Sequence, residues 1–110
     1  MEKQLQRRLE KGGWAVGDAH DFLGLSDEEI RLIETKLALA AGLRQRREKL
    51  GLTQSVFASR LGSSQSRVAK MEAADRSVSL DLLFRALFLL GASRQDVARI
   101  MVHGARRRAA

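Results

Sequence analysis

The chain has 110 residues, of which 45% are hydrophobic, and its formal net charge at pH 7 is +7. This length suits one domain with a modest core and is too short for two. The basic balance favours a polyanionic partner, and the absence of cysteine excludes disulfides and thiolate chemistry. The longest apolar run, LFRALFLL, is interrupted by Arg85 and is far shorter than the roughly 20 residues of a membrane span, so no membrane partner is expected.

The first 25 residues carry weak helix signals and are predicted to be a partly ordered extension. They contain Trp14 and Phe22 among glycines, an arrangement that favours a loop docking apolar side chains onto helices. No signal-peptide core is present, which predicts a cytoplasmic protein. His20 between Asp18 and Asp21 could form a metal or general-base site, but no further ligands are spaced for one. A solvated acidic loop, with no metal, is therefore the prediction.

Hydroxyl caps and glycine stops mark five helices between residues 26 and 104. Ser26 and Glu29 form a capping box ahead of a long helix that runs to Leu50, and Gly42 is a position where it could kink or divide. The later caps are Thr53 for a helix over 54–61, Ser64 for 65 to about 73, Ser79 for 80–90, and Ser93 for a last helix that stops at Gly104. The sequence predicts an all-α domain over 26–104, followed by a basic tail over 105–110.

The helix that begins at Gln65 has two unlike faces. At about 100° per residue, Val68 points to the side that can be buried. Gln65, Ser66 and Lys70 project from the other side, with alanines between them. Amides pair bidentately with adenine, and lysine binds guanine, in a DNA major groove. The pattern therefore fits base-pair edges, and Arg67 on the flank fits a phosphate.

A polar helix face is usually no more than a solvated face, but the neighbouring spacing argues otherwise here. The residues that set this spacing are Gln54, Ala58, Gly62, Val68 and Met71. Alanine is small where two helices cross, glycine permits the turn, and the last two residues anchor the second helix. This is the spacing of a helix-turn-helix, which is predicted over 53–73.

The run LRQRREKLGLTQSVFASRLGSSQSRVAKMEAADRSVSLDLLFRALFLLG, residues 43–91, resembles the Cro/C1-type (XRE family) helix-turn-helix domain. The upstream DFLGLSDEEIRLIETKLALAAGLRQRR is similar to the lead-in helix of its HigA-type antitoxin branch. The resemblance implies a five-helix lambda-repressor-like DNA-binding domain with an N-terminal extension and a long lead-in helix. It also implies double-stranded DNA as the partner.

The resemblance assigns roles to individual residues. In relatives, the first two residues of the recognition helix and one a turn later read bases, which implies Gln65, Ser66 and Lys70. The glutamine that opens the preceding helix holds a phosphate, which implies Gln54. Further phosphate contacts are expected from Ser64, Arg67 and Arg76. The chain departs from relatives at Ala73 and Ala74, where a polar residue and glycine are common, so Arg76 is expected to supply the phosphate contact of that loop.

Glu72 lies beside Val68, where a half-buried carboxylate needs a cation. In relatives this glutamate bonds an arginine of the lead-in helix, which implies a structural ion pair between Arg47 and Glu72. The rest of that basic run, Arg44, Arg46 and Lys49, is interpreted as a solvated helix flank. Arg46 stands where many relatives have leucine.

The sequence favours a transcriptional repressor that binds a palindromic operator as a homodimer. The alternative is an antitoxin that neutralises a cognate toxin protein and autoregulates its operon. A nucleoid-type protein without sequence preference is a third hypothesis. No nucleophile elbow or phosphate-binding loop occurs, so neither enzymatic activity nor a cofactor is expected. In the last helix, Val97, Ile100 and Met101 could seal the core or form a dimer seam.

Overall fold

The computed structural model describes residues 24–104. The helices of this part are α1 (Asp27–Lys49), α2 (Gln54–Leu61), α3 (Gln65–Glu72), α4 (Leu80–Leu89) and α5 (Arg94–His103). No strand occurs among these residues, so the all-α prediction is confirmed. The predicted extension and basic tail lie outside the described residues, apart from Gly24 and Leu25, and so do Trp14 and the residues around His20.

Each helix begins at the hydroxyl residue that the sequence marks as its cap. In every case the side-chain oxygen accepts a hydrogen bond from the backbone amide three residues later. In α1 and α5 the bond is reciprocated, because the carboxylates of Glu29 and Asp96 accept from the amides of Ser26 and Ser93. Those amides lower the pKa of both carboxyl groups. Capping boxes therefore fix where the long helix and the last helix start.

The end of α3 turns through Ala74, whose φ of 56° lies in the left-handed region. The amide of Ala74 donates to the carbonyl of Met71, and that of Asp75 to the carbonyl of Lys70. This is the bonding pattern that Gly62 completes at the end of α2. Alanine enters this region less readily than glycine, but Ala74 is almost fully buried. Packing of its methyl group offsets part of that cost, so the chain turns here without the glycine common in relatives.

Helix α1, with 23 residues, is the element on which the others assemble. It contacts α3, α4 and α5, while α2 packs mainly on α3. The largest fully buried side chains are Phe57, Leu39, Leu43, Met71, Leu83, Leu87, Val68 and Val78. Burial of these side chains between short helices holds α2 and α3 in fixed orientation against α1. No helix among residues 24–104 has the length and apolar character needed to cross a bilayer.

Two basic side chains of α1 hold the segments at the two ends of α4. Lys36 donates to the carbonyl of Arg76 at 3.2 Å, and burial lowers the pKa of Lys36. Arg46 donates to the carbonyl of Leu90 at 3.2 Å and lies 3.7 Å from the carboxylate of Asp96. The interpretation of Arg46 as solvated was wrong, because this side chain reaches across to the α4–α5 connection. Arg44 and Lys49 are exposed as expected.

Gly42 does not divide α1, which is continuous from Asp27 to Lys49. Instead it lies beneath Ile100 of α5. A Cβ built on Gly42 would lie 2.8 Å from Cδ1 of Ile100 and 3.1 Å from its Cγ2. Rotating the terminal methyl away would leave the second contact in place. The absence of a side chain at Gly42 is therefore what allows α5 to approach α1 so closely.

Replacing Gly42 with alanine is expected to lower the free energy of unfolding by about 1 kcal/mol. Helix propensity favours alanine by about 1 kcal/mol, but crowding against Ile100 costs roughly 1–3 kcal/mol. Urea denaturation would measure the difference. Adding Ile100→Val, which removes the nearest atom, should recover part of the crowding cost, because Cγ2 stays at 3.1 Å. A Gly42→Ala variant that is more stable than the wild type would contradict the close contact.

Candidate nucleic-acid interface

Helices α2 and α3 form a fixed pair joined by a tight turn. Gly62 ends α2 with φ of 71°, and Ser64 caps α3 two residues later. Val68 and Met71 are fully buried and anchor α3, and Ala58 is buried where α2 crosses it. The opposite face of α3 is left toward solvent. The two anchors therefore set which side chains α3 can present.

Gln65, Ser66 and Lys70 are exposed on that opposite face. Ala69 and Ala73 lie between them and are partly buried. Because a methyl group projects little, the longer side chains of Gln65 and Lys70 stand clear of the surface. The three residues assigned to base reading thus occur together on one accessible face of α3.

Arg47 and Glu72 form a bidentate ion pair beneath this face. Nε and Nη2 of Arg47 lie 2.5 Å and 3.0 Å from the two carboxylate oxygens of Glu72. Nη1 donates to the carbonyl of Leu52 at 2.7 Å. The two side chains are only 9% and 4% exposed, and the hydrogen bond to Glu72 raises the pKa of Arg47. The pair therefore locks α1, the α1–α2 connection and the end of α3 together.

A chain of side-chain amides continues from this ion pair to the surface of α3. Nε2 of Gln54 donates to Oε1 of Glu72 at 3.1 Å. Oε1 of Gln54 accepts from Nε2 of Gln65 at 3.5 Å. The buried carboxylate thereby orients Gln54, whose carbonyl oxygen forms a long, weak contact with the exposed amide of Gln65. The resemblance assigned Gln54 to a phosphate. Nothing in the sequence indicated that Gln54 also contacts Glu72 and Gln65.

The amides in this chain keep the groups that nucleic-acid recognition requires. A glutamine amide has two N–H donors and one carbonyl acceptor. Gln54 uses one donor on Glu72 and retains the other for a phosphate. Gln65 uses one donor on Gln54 and retains one donor and its carbonyl, which complement the N7 acceptor and the N6 donor of adenine in the major groove. Binding DNA would not require breaking these bonds.

The residues expected at phosphates surround this face. Ser64 is exposed, and its oxygen accepts from the amide of Arg67 at 3.1 Å, so its hydroxyl hydrogen is still able to donate. Arg67 is an exposed side chain on the flank of α3. Arg76 is exposed in the following loop, where its backbone carbonyl is held by Lys36. Asp75 accepts two hydrogen bonds from Ser77 in that loop, and the hydroxyl bond lowers its pKa.

A cleft of about 260 Å³ separates α3 from the outer face of α1. Ala69 and Ala73 line it from α3, Leu37 and Arg44 line it from α1, and Gln54 lies at its end. Arg44 is exposed and pairs with Glu48 at 3.1 Å. A basic side chain of α1 therefore borders the exposed face of α3. Sequence reasoning missed this because the proximity of α1 to α3 depends on tertiary packing.

The sequence model of the family described as "Helix-turn-helix domain" matches residues 38–100. The chain belongs to this helix-turn-helix family. The match begins inside α1 and ends inside α5, so it includes both partners of the Arg47–Glu72 pair as well as α2 and α3. No curated protein and no solved structure gives a significant match to the chain. Membership thus supports the predicted XRE-like domain class, whereas the resemblance to the antitoxin branch stays a prediction.

The three residues of the predicted dimer seam differ in burial within this helix-turn-helix domain. Val97 is buried in the core, and Ile100 packs against it and over Gly42. Met101 is 47% exposed. A single chain does not test the seam, but two of its three residues already have packing partners inside the monomer. Of the three, only Met101 offers substantial apolar surface to a second copy.

Proposed function

We propose that this helix-turn-helix protein is a sequence-specific transcriptional regulator that represses by binding DNA. The observation that carries the proposal is the exposed trio Gln65, Ser66 and Lys70 on one face of α3. Beneath it, the bonded chain from Arg47 through Glu72 and Gln54 supports the first of these side chains. A recognition side chain that is ordered before binding loses less conformational entropy when the complex forms.

In the proposed complex, α3 lies in the major groove and presents its exposed face to the base edges. Gln65 accepts from and donates to an adenine, and the ammonium of Lys70 binds the acceptors of a guanine. Ser66 has a short side chain, so its hydroxyl donates or accepts a hydrogen bond with the base that lies closest to the helix. Ala69 and Ala73 keep the helix surface low enough for the groove. In this proposal, α3 supplies all the contacts with base edges.

Phosphate contacts on both flanks of α3 would fix the register. Gln54 and Ser64 reach one strand through their remaining donors, and Arg67 and Arg76 bring positive charge. Arg44, at the cleft beside α3, is a further candidate. Each phosphate that is neutralised releases counterions, so affinity should fall steeply with salt. The net charge of +7 supports such a salt-dependent component.

The proposed operator is palindromic and is bound by a homodimer. Two recognition helices must lie about 34 Å apart to enter successive major grooves on one side of DNA. Occupation of such a site at a promoter would exclude RNA polymerase. The dimer therefore contributes to specificity by fixing the spacing of the two half-sites.

Comparing the DNA directly upstream of the gene with random DNA of equal length tests this function. Affinities should be measured by fluorescence anisotropy over a range of salt concentrations. We expect tighter binding to the upstream DNA, and a steep salt dependence on both. Equal affinity for the two would favour the nucleoid-type alternative, and no binding to either would remove the DNA-binding proposal.

A second candidate function is the antitoxin, and one surface favours it. Leu32 of α1 is 52% exposed, and Glu28 lies one turn before it, also exposed. An apolar side chain with an adjacent carboxylate suits a basic protein partner. Co-expression with a toxic reading frame adjoining the gene is the test. Growth rescue that Leu32→Lys abolishes would support the antitoxin, whereas toxicity unaffected by the wild-type chain would exclude that partner.

A further inference from the structure

Helix α4 presents an aromatic pair to solvent within the described residues. Its buried side is formed by Leu83, Ala86 and Leu87. On the other side the rings of Phe84 and Phe88 stack one turn apart, with centroids 6.5 Å from each other. Phe84 is partly buried, whereas Phe88 is 46% exposed. Half-exposed aromatic surface of this kind is suited to a protein contact.

Two opposite charges lie beside these rings. At about 100° per residue, Asp81 and Arg85 project from the same outward side of α4 as Phe88. Both are exposed, and neither side chain has a hydrogen bond or ion pair with any residue in 24–104. Asp81, Phe84, Arg85 and Phe88 form a strip on the outward side of α4. This strip is negative at its N-terminal end, positive one turn later, and apolar along one edge. An antiparallel copy of the same strip presents the two charges in reverse order.

We propose that a second copy of this chain docks on α4, with the two α4 helices antiparallel across a two-fold axis near Phe84. Such an axis brings Asp81 of each copy within one turn of the partner's Arg85, a distance that an arginine side chain spans. The aromatic edges of both copies meet at the same place. A two-fold contact must be self-complementary, and this strip satisfies that condition.

Helix α5 is less suited to this contact because of its charges. Its exposed charged side chains are Arg94 and Arg99, and its acidic residue, Asp96, already lies against Arg46 and Arg99. Two copies of α5 facing each other would therefore oppose like charges. Met101 and Val102 are exposed there, but the one acidic residue among 94–103, Asp96, is already paired. Charge complementarity thus selects α4 over the seam predicted from sequence.

The contact is small, since the ten residues of α4 span about 15 Å. A standard protein interface buries about 800 Å² on each partner, which is more than one helix face of this length supplies. The dimer should therefore be weak in free solution. On an operator, both copies bind adjacent half-sites, so the local concentration of each is high and the contact forms.

Charge reversal tests the proposal in the full chain without DNA. Sedimentation velocity would follow the wild type, Asp81→Arg and Arg85→Asp in a concentration series up to about 1 mM. The wild type should shift from monomer to dimer. Each variant alone should stay monomeric because four like charges meet at the axis. A 1:1 mixture of the two variants should dimerise as the wild type does, since both cross-pairs are then opposite in sign.

Arg94→Asp, which makes the same charge change on α5, is the matched control and should dimerise normally. Circular dichroism melts check that each variant is folded. A wild type that is monomeric throughout, variants that dimerise alone, or a folded mixture that stays monomeric would each overturn the α4 contact. The inference rests on the proposed homodimer, but its failure is distinguishable, because base preference on a single half-site does not depend on α4.

Discussion

Replacing Glu72 with alanine is expected to lower the free energy of unfolding by about 3–5 kcal/mol, because it leaves a buried guanidinium without its counter-ion. Arg47 and Glu72 are 9% and 4% exposed, so both charges are largely removed from solvent in the folded protein. The substitution also removes the acceptor of Gln54. Urea denaturation at neutral pH would measure the loss.

The double variant Arg47→Met/Glu72→Leu removes the ion pair without leaving an unpaired charge buried. It removes both charges and fills the space with apolar side chains of similar length, so it should be less destabilising than Glu72→Ala alone. The carbonyl of Leu52 would still lose a donor, which prevents full recovery. If the losses measured for Arg47→Met and Glu72→Leu singly simply add in the double variant, the two groups are not coupled as the structure indicates.

Replacing Gln65 or Lys70 with alanine is expected to weaken binding to the operator by about 1–3 kcal/mol, or roughly 5- to 150-fold, and to have little effect on random DNA. Each substitution removes contacts with base edges while leaving α3 anchored by Val68 and Met71. Anisotropy titrations on the two DNAs at one salt concentration would measure both losses.

Arg67→Ala is the matched control, because this side chain is assigned to a phosphate. It should weaken binding to both DNAs by a similar factor. The slope of the logarithm of the binding constant against the logarithm of the salt concentration should fall in magnitude by about one. Gln54→Ala should resemble Gln65→Ala in part, since it removes the contact with Gln65. Losses at Gln65 and Lys70 that are equal on operator and random DNA would remove their assignment to base reading.

Local sequence signals account for most of the fold. Ser26, Thr53, Ser64, Ser79 and Ser93 start the helices because each satisfies backbone amides that a helix leaves unpaired. Turn geometry was also readable, since Gly62 permits the left-handed conformation. Ala74, where relatives commonly have glycine, adopts the left-handed conformation that glycine would have there. These signals depend on neighbouring residues and can therefore be read without tertiary contacts.

The features missed from the sequence all join residues distant in the chain. Arg46 reaches the carbonyl of Leu90, and Lys36 reaches that of Arg76, contacts that depend on how α4 lies along α1. The bond between Gln54 and Gln65 depends on side-chain conformations across two helices. Periodicity placed Val97 and Ile100 on one apolar stripe, but it could not say whether that stripe faces the core or a second chain.

We propose that α3 reads a defined DNA sequence in two symmetric half-sites. Selection of bound sites from random double-stranded DNA with the full chain is the decisive experiment. We predict a motif with a two-fold repeat whose half-site centres are separated by about one helical turn, 10–10.5 base pairs, and in which Gln65→Ala relaxes the preference for adenine at one position of each half-site. Recovery of no motif, or of one that Gln65→Ala and Lys70→Ala leave unchanged, would contradict it.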